Sequence, residues 1–203
     1  MTNKKGSDIE KQSFTIIDTE IGSTSFSNEE YTIVRRIIHA TGDFDFARTI
    51  RFHKDAVTKG VQAIRQGKNI LADVRMVEAG INKKALSQWG GKVICLIDSE
   101  EVVSTAHSKG RTRAETAMEK GMADNIGIVA IGNAPTALLS ILETMKSHAP
   151  AFDLVIGVPV GFVNASESKE ALSNQSHPFI TTLGRKGGSP VAVAIINSLL
   201  KLA

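Results

Sequence analysis

Gly127-Ile128-Val129-Ala130-Ile131-Gly132-Asn133-Ala134-Pro135-Thr136 is the stretch that decides the fold. An uninterrupted apolar run of this length, bounded by glycine, reads as a strand buried on both faces. The turn that follows ends in a proline, which pre-sets the backbone for a helix start, here expected over Pro135 to His148. Working outward in both directions, the same unit recurs. Further strands are expected over Ile70 to Val74, Lys92 to Asp98, Asp153 to Val160 and Phe179 to Leu183. Helices are expected over Arg75 to Gly80, Thr112 to Met122, Ser166 to Gln175 and Ser189 to Leu202. Apolar strands alternating with helices predict a three-layer α/β/α sandwich, an α/β fold with a mainly parallel central sheet. Two helices precede the repeating part. One starts at the capping box Ser27-Asn28-Glu29-Glu30 and runs through Tyr31 to Thr41, stopping at Gly42, and the other covers Lys54 to Gln66 and stops at Gly67. Residues 1 to 8 read as a polar, flexible N-terminus and residues 9 to 203 as one domain.

The chain has 203 residues, 42% of them hydrophobic, which is enough for one substantial core. Its net charge is +3 from 24 basic and 21 acidic residues, too small an excess for a nucleic-acid partner. Aromatic residues make up 5%, too few for base-stacking platforms. The apolar runs are too short to span a membrane and no signal core follows the first residues, so a cytoplasmic location is expected. Cys95, the single cysteine, lies within Val93-Ile94-Cys95-Leu96-Ile97 and reads as a buried, inert thiol.

In open parallel sheets ligands bind beyond the carboxyl ends of the strands. The loops there read Gly132-Asn133-Ala134-Pro135-Thr136, Gly157-Val158-Pro159-Val160-Gly161-Phe162 and Gly184-Arg185-Lys186-Gly187-Gly188-Ser189. Each joins permissive glycine to a helix start, where free N–H groups favour an anion. None has P-loop spacing, no G-x-G-x-x-G follows a strand, and the chain holds no G-x-S-x-G, H-E-x-x-H or C-x-x-C.

Two places carry candidate chemistry. On a wheel of about 100° per residue, Ile33, Val34, Ile37 and Ile38 form a stripe centred near 70°, and His39 falls near 240°. His39 thus points away from its own helix's apolar stripe, in a last turn whose dipole favours imidazolium. A proton donor and a solvated surface histidine both fit. At Thr112-Arg113-Ala114-Glu115 a second capping box puts arginine at a helix start, against the dipole. An acidic ligand would explain Arg113, and so would a salt bridge or a solvated charge. His53, His107, His148 and His177 show no metal-ligand spacing and read as mostly surface residues, with His107 placed just past a strand end.

A longer set of blocks, in order, resembles the precorrin-8X methylmutase family. They are Ile9-Glu10 with Ser13-Phe14 and Ile16-Ile17, Arg35 to Asp43, Asp73 to Val77 with Ala79-Gly80-Ile81, and Thr112-Arg113. Gly132 to Leu138, Gly161-Phe162-Val163 with Glu167-Ser168-Lys169, and Arg185 to Ser189 complete the set. The resemblance implies migration of a methyl group from carbon 11 to carbon 12 of precorrin-8 or cobalt-precorrin-8. Hydrogenobyrinic or cobyrinic acid results, in cobalamin biosynthesis. It implies a suprafacial 1,5-sigmatropic isomerisation with no cofactor and no protein-bound metal. It implies His39 as the catalytic residue that protonates a ring nitrogen, with Ser13, Asn82, Thr112, Arg113, Arg185 and Lys186 binding a tetrapyrrole that carries several carboxylates. It also implies a homodimer with the site near the interface. Two positions depart from the pattern: Asn82 stands where threonine is commoner, and Leu183 where many members have arginine. A non-catalytic tetrapyrrole carrier and an α/β enzyme acting on a nucleotide or sugar phosphate are the competing readings.

Overall fold

The computed structural model describes residues 4–123, 125–147 and 150–203. The six-stranded sheet has the order β1-β6-β5-β4-β2-β3. Its strands are β1 (Ile50–Phe52), β2 (Asn69–Ala72), β3 (Val93–Ile94), β4 (Ile126–Ile131), β5 (Leu154–Gly157) and β6 (Phe179–Thr182). Only β1 runs antiparallel, paired with β6 through Ile50 opposite Thr182; the remaining pairs are parallel.

The strands are buried on both faces because alternate residues feed two separate cores. Ile70, Ala72, Ile128, Ala130, Leu154 and Ile156 point into one, together with the apolar faces of α1 (Lys4–Ile21), α2 (Asn28–Thr41), α4 (Ala56–Arg65), α5 (Arg75–Gly80) and α11 (Ser189–Leu202). Leu71, Val129, Ile131 and Val155 point into the other, under α8 (Arg113–Gly121), α9 (Pro135–Ser147) and α10 (Ala165–Ser173). Helices on both faces of a mainly parallel sheet are the three-layer arrangement expected from the sequence. Among the described residues no helix is long and apolar enough to cross a membrane.

Local signals placed several elements closely. The Ser27 hydroxyl accepts from the Glu30 amide at 3.2 Å, the Glu30 carboxylate accepts from the Ser27 amide at 2.9 Å, and Gly42 closes α2 in a left-handed conformation at φ 66°. Ile33, Val34, Ile37 and Ile38 are buried, as the wheel requires. Cys95 is buried and unpaired, and burial pushes its thiol up.

Other elements depart from expectation. The strand expected over Lys92 to Asp98 shrinks to Val93–Ile94, because this edge strand pairs with β2 alone and the chain then turns, the Ser99 amide bonding the Leu96 carbonyl at 3.0 Å. The strand expected to reach Val160 ends at Gly157, just ahead of Pro159, which has no N–H to donate. Helix α1 begins at Lys4, inside the stretch read as a flexible terminus. Short α3 (Phe46–Thr49), α6 (Lys83–Ser87) and the longer α7 (Glu100–Lys109) were not expected. His107 lies in the last turn of α7, exposed, rather than past a strand end. His53 and His177 are half-buried instead of exposed, and His148 lies outside the described residues.

Candidate active site

The strand order reverses between β2 and β4: from β2 the chain adds β3 on one side and then returns to place β4 on the other. Loops leaving these two strands part toward opposite layers, α5 on one and α9 on the other, which opens a crevice at their carboxyl ends. Asp73, fully buried just past β2, spans that crevice. Its carboxylate accepts from the amides of Gly132 at 3.1 Å, Asn133 at 2.7 Å and Ala134 at 2.8 Å. Burial pushes this carboxyl up, and the three amides oppose that push by stabilising the charged form. Gly132 has no room for a side chain, since a Cβ would come within 2.8 Å of Ser189 Cα at the start of α11. The loop after β2, the loop after β4 and the start of α11 therefore meet in one tight junction.

His39 shares its cavity with Pro190, the residue after Ser189 on α11. It is exposed on α2, on the wall of a cavity of about 410 Å³ that it shares with Arg36, Asn82, Pro190, Val193, Asn197 and Lys201. The Phe14 ring from α1 meets the imidazole edge-on with centroids 5.3 Å apart, and the guanidiniums of Arg35 and Arg36 lie over Phe14 at 4.4 and 4.9 Å. Arg36 in turn bonds Glu10 at 2.6 Å, and that hydrogen bond holds the Glu10 carboxyl below its ordinary value despite the opposing effect of burial. Glu10 and His39 are within electrostatic reach of each other. The imidazole itself makes no hydrogen bond or ion pair among the described residues and is free to meet a ligand.

Asn82 enters the same cavity as the N-cap of α6, its side chain accepting from the Ala85 amide at 3.0 Å. Asn197, on α11, holds this turn in place: its carbonyl oxygen accepts from the Asn82 amide at 2.9 Å and its NH2 donates to the Gly80 carbonyl at 3.0 Å. Sequence reading missed Asn197, as nothing within its own helix marks it. The same holds for Asp73, which belongs to a resembling block but carried no assigned role.

The other expected contacts sit on other elements. Ser13 is half-buried on α1 beside Phe14, and its hydroxyl donates to the Ile9 carbonyl at 2.9 Å. Thr112 caps α8 through its capping box with Glu115 and lies 3.0 Å from the Thr136 hydroxyl, tying the starts of α8 and α9 together. Arg113 is exposed beside it and has no ion pair among the described residues, which leaves solvent or an acidic ligand as its partner there. Arg185 is exposed on the loop after β6, its guanidinium 5.3 Å from the Phe162 ring centre. Lys186 is less free: its ammonium bonds Asp43 and Asp45, each at 2.7 Å, and these carboxylates hold it above its ordinary value. The structure thus brings His39 and Asn82 into one cavity. No hydrogen bond or ion pair among the described residues joins that pair to Thr112 and Arg113, on the opposite layer, or to Arg185.

The comparisons with known proteins bear on the whole chain. The family model described as Precorrin-8X methylmutase matches residues 8–202. The Leptospira interrogans cobalt-precorrin-8 methylmutase is 44% identical over 207 residues, covering 98% of this chain and 94% of that protein. The Priestia megaterium cobalt-precorrin-8 methylmutase is 46% identical over 196 residues, covering 96% and 87%. The solved precorrin-8X methylmutase of Thermus thermophilus superposes with a TM-score of 0.85 at 44% identity, covering 96% of each chain. Matches of that identity over nearly the full length of both partners show that the chain belongs to the precorrin-8X methylmutase family.

Proposed function

We propose that this chain catalyses the intramolecular methyl shift of its family on precorrin-8 or cobalt-precorrin-8 in cobalamin biosynthesis, with His39 handling the proton. The reaction is an isomerisation: the bond from the methyl to carbon 11 breaks as the bond to carbon 12 forms, and nothing is added or lost. A proton placed on a ring nitrogen draws electron density from the conjugated system and eases the migration. The observation that carries the assignment is the imidazole of His39, exposed on the wall of a cavity and unpaired, yet steadied by Phe14 and neighboured by Arg36 and Glu10.

Ser13, Asn82, Thr112, Arg113 and Arg185 are the residues we assign to the substrate and its carboxylate arms. Arg113 and Arg185 are exposed cations without an ion pair among the described residues, suited to charge-assisted bonds with carboxylates. Lys186 serves better as a tie to Asp43 and Asp45, close in sequence to His39, than as a direct contact. A homodimer is part of the proposal: Val160, Phe162 and Val163 are 47%, 81% and 77% exposed beside Arg185, an apolar patch that a second copy can cover. A cytoplasmic location fits a biosynthetic enzyme of this kind.

Mixing the protein with precorrin-8 and, separately, with its cobalt form tests this, since the absorption spectrum reports the change in conjugation. Wild type should convert substrate, and His39→Ala should bind it and leave it unconverted. Full turnover by that variant removes His39 from the mechanism, and binding with no conversion by wild type supports a carrier instead.

A further inference from the structure

Lys169, on α10, is fully buried and ranks among the largest side chains shielded completely from solvent. Among the described residues its ammonium makes one polar contact, a 2.7 Å hydrogen bond to the carbonyl of Lys186. No carboxylate among the described residues pairs with it, and burial alone pushes it down to about 8. An ammonium taken out of water without a counter-ion is a costly occupant of a core, and methionine or leucine would fill similar space without that cost. Packing therefore does not account for a lysine here, and the single bond it makes is the place to look for a reason.

That bond ends on the loop between β6 and α11. The same Lys186 carbonyl also accepts from the Thr182 hydroxyl at 3.0 Å, so two buried donors converge on one oxygen and draw it inward. The residues around it are held to the loop after β5: the Gly161 amide donates to the Arg185 carbonyl at 3.2 Å and the Gly188 amide to the Val158 carbonyl at 2.8 Å. Gly187 passes so close that an added Cβ would lie 2.3 Å from the Val158 oxygen. With the Lys186 carbonyl turned in, the Arg185 guanidinium stands outward against Phe162.

We propose that Lys169 is a positioning residue for substrate binding, its buried ammonium fixing the Lys186 carbonyl and thereby aiming Arg185 at a carboxylate arm of the macrocycle. This rests on the reading of Arg185 as a substrate contact. It adds a residue that touches no substrate and acts through the backbone of the loop it holds.

A double-mutant cycle tests it, with Lys169→Met, Arg185→Ala and the double variant compared by corrinoid affinity and by conversion of bound substrate. Hydrogen bonds to charged groups contribute enough that removing one weakens binding about tenfold or more. We expect K169M to raise KM by about tenfold with kcat within about threefold of wild type, and to have little further effect in the R185A background. Additive losses, or a fall in kcat with KM unchanged, overturn the proposal. If R185A binds as tightly as wild type, the reading of Arg185 fails and the proposal with it; if R185A binds weakly and K169M does not, only the proposal fails. Should K169M not fold, Thr182→Val removes the second donor to the same oxygen and must show the same KM-weighted, Arg185-dependent loss, smaller in size; its absence is equally decisive against the proposal.

Discussion

Replacing Asp73 with alanine removes the acceptor for three backbone amides at the strand-order reversal, and the size of the effect follows from their surroundings. The Gly132 amide is buried, so leaving it without a partner costs about 1–3 kcal/mol. The Asn133 and Ala134 amides are part-buried, and water can recover some of their loss, leaving about 1 kcal/mol each. Removing the buried carboxylate also relieves its desolvation, which offsets part of the total. A net destabilisation of about 3 kcal/mol results, and at about 2–4 °C per kcal/mol for a chain of this size the melting temperature should fall by roughly 6–12 °C. Asp73→Asn retains one acceptor but turns an NH2 toward a donor, so its melting point should lie between the two. Thermal unfolding followed by circular dichroism makes the comparison. A D73A protein melting within about 2 °C of wild type would show that the loop does not depend on this carboxylate, and the account of this junction would be wrong.

Three further outcomes follow from other parts of the molecule. Gly187→Ala puts a methyl 2.3 Å from the Val158 oxygen, a backbone atom that cannot swing aside, so it should destabilise by about 1–3 kcal/mol and weaken corrinoid binding through Arg185; denaturant melts and a binding titration check both. Arg113→Ala should weaken corrinoid binding while shifting the melting temperature by less than about 2 °C, because the exposed side chain makes no ion pair among the described residues; unchanged affinity would assign it no part in binding. Burial lowers Lys169 from 10.5 to about 8, so between those values the unfolded chain holds a proton that the folded chain has released. Stability therefore rises with pH across that window. Urea unfolding of wild type and K169M at a series of pH values should show the difference moving in favour of wild type from about pH 8 upward; a flat difference contradicts it.

Helix α7 and β1 show why some elements escaped notice. Ser99 caps α7 through the Val102 amide at 3.3 Å, but the third helical position is valine, so the reciprocal bond that marks Ser27 and Thr112 is missing. Strand β1 has three residues, too few for any periodicity to register, and its place at the sheet edge comes from pairing with β6 far along the chain. Helix α1 turns only Phe14, Ile17 and Ile21 toward the core, a thin stripe among polar residues. The site divides in the same way. His39 stood out because its own helix wheel excludes it from the core, and Arg113 because its charge opposes the helix it begins.

Taken alone, the order of residues determined the alternation of apolar strands and helices, the capped ends of α2 and α8, and the blocks that carry the family resemblance. These follow from forces between near neighbours: alternation of buried positions, caps three residues apart, and glycine where φ must be positive. Tertiary structure alone decided that Asp73 bonds amides 59 to 61 residues away, that Asn197 reaches Asn82 across 115, and that Lys169 holds the carbonyl of Lys186. A buried polar group must find its partner wherever packing brings one, and sequence distance places no limit on that. For the same reason Lys186, which the resemblance assigns to the substrate, is matched by two carboxylates that only the fold brings to it.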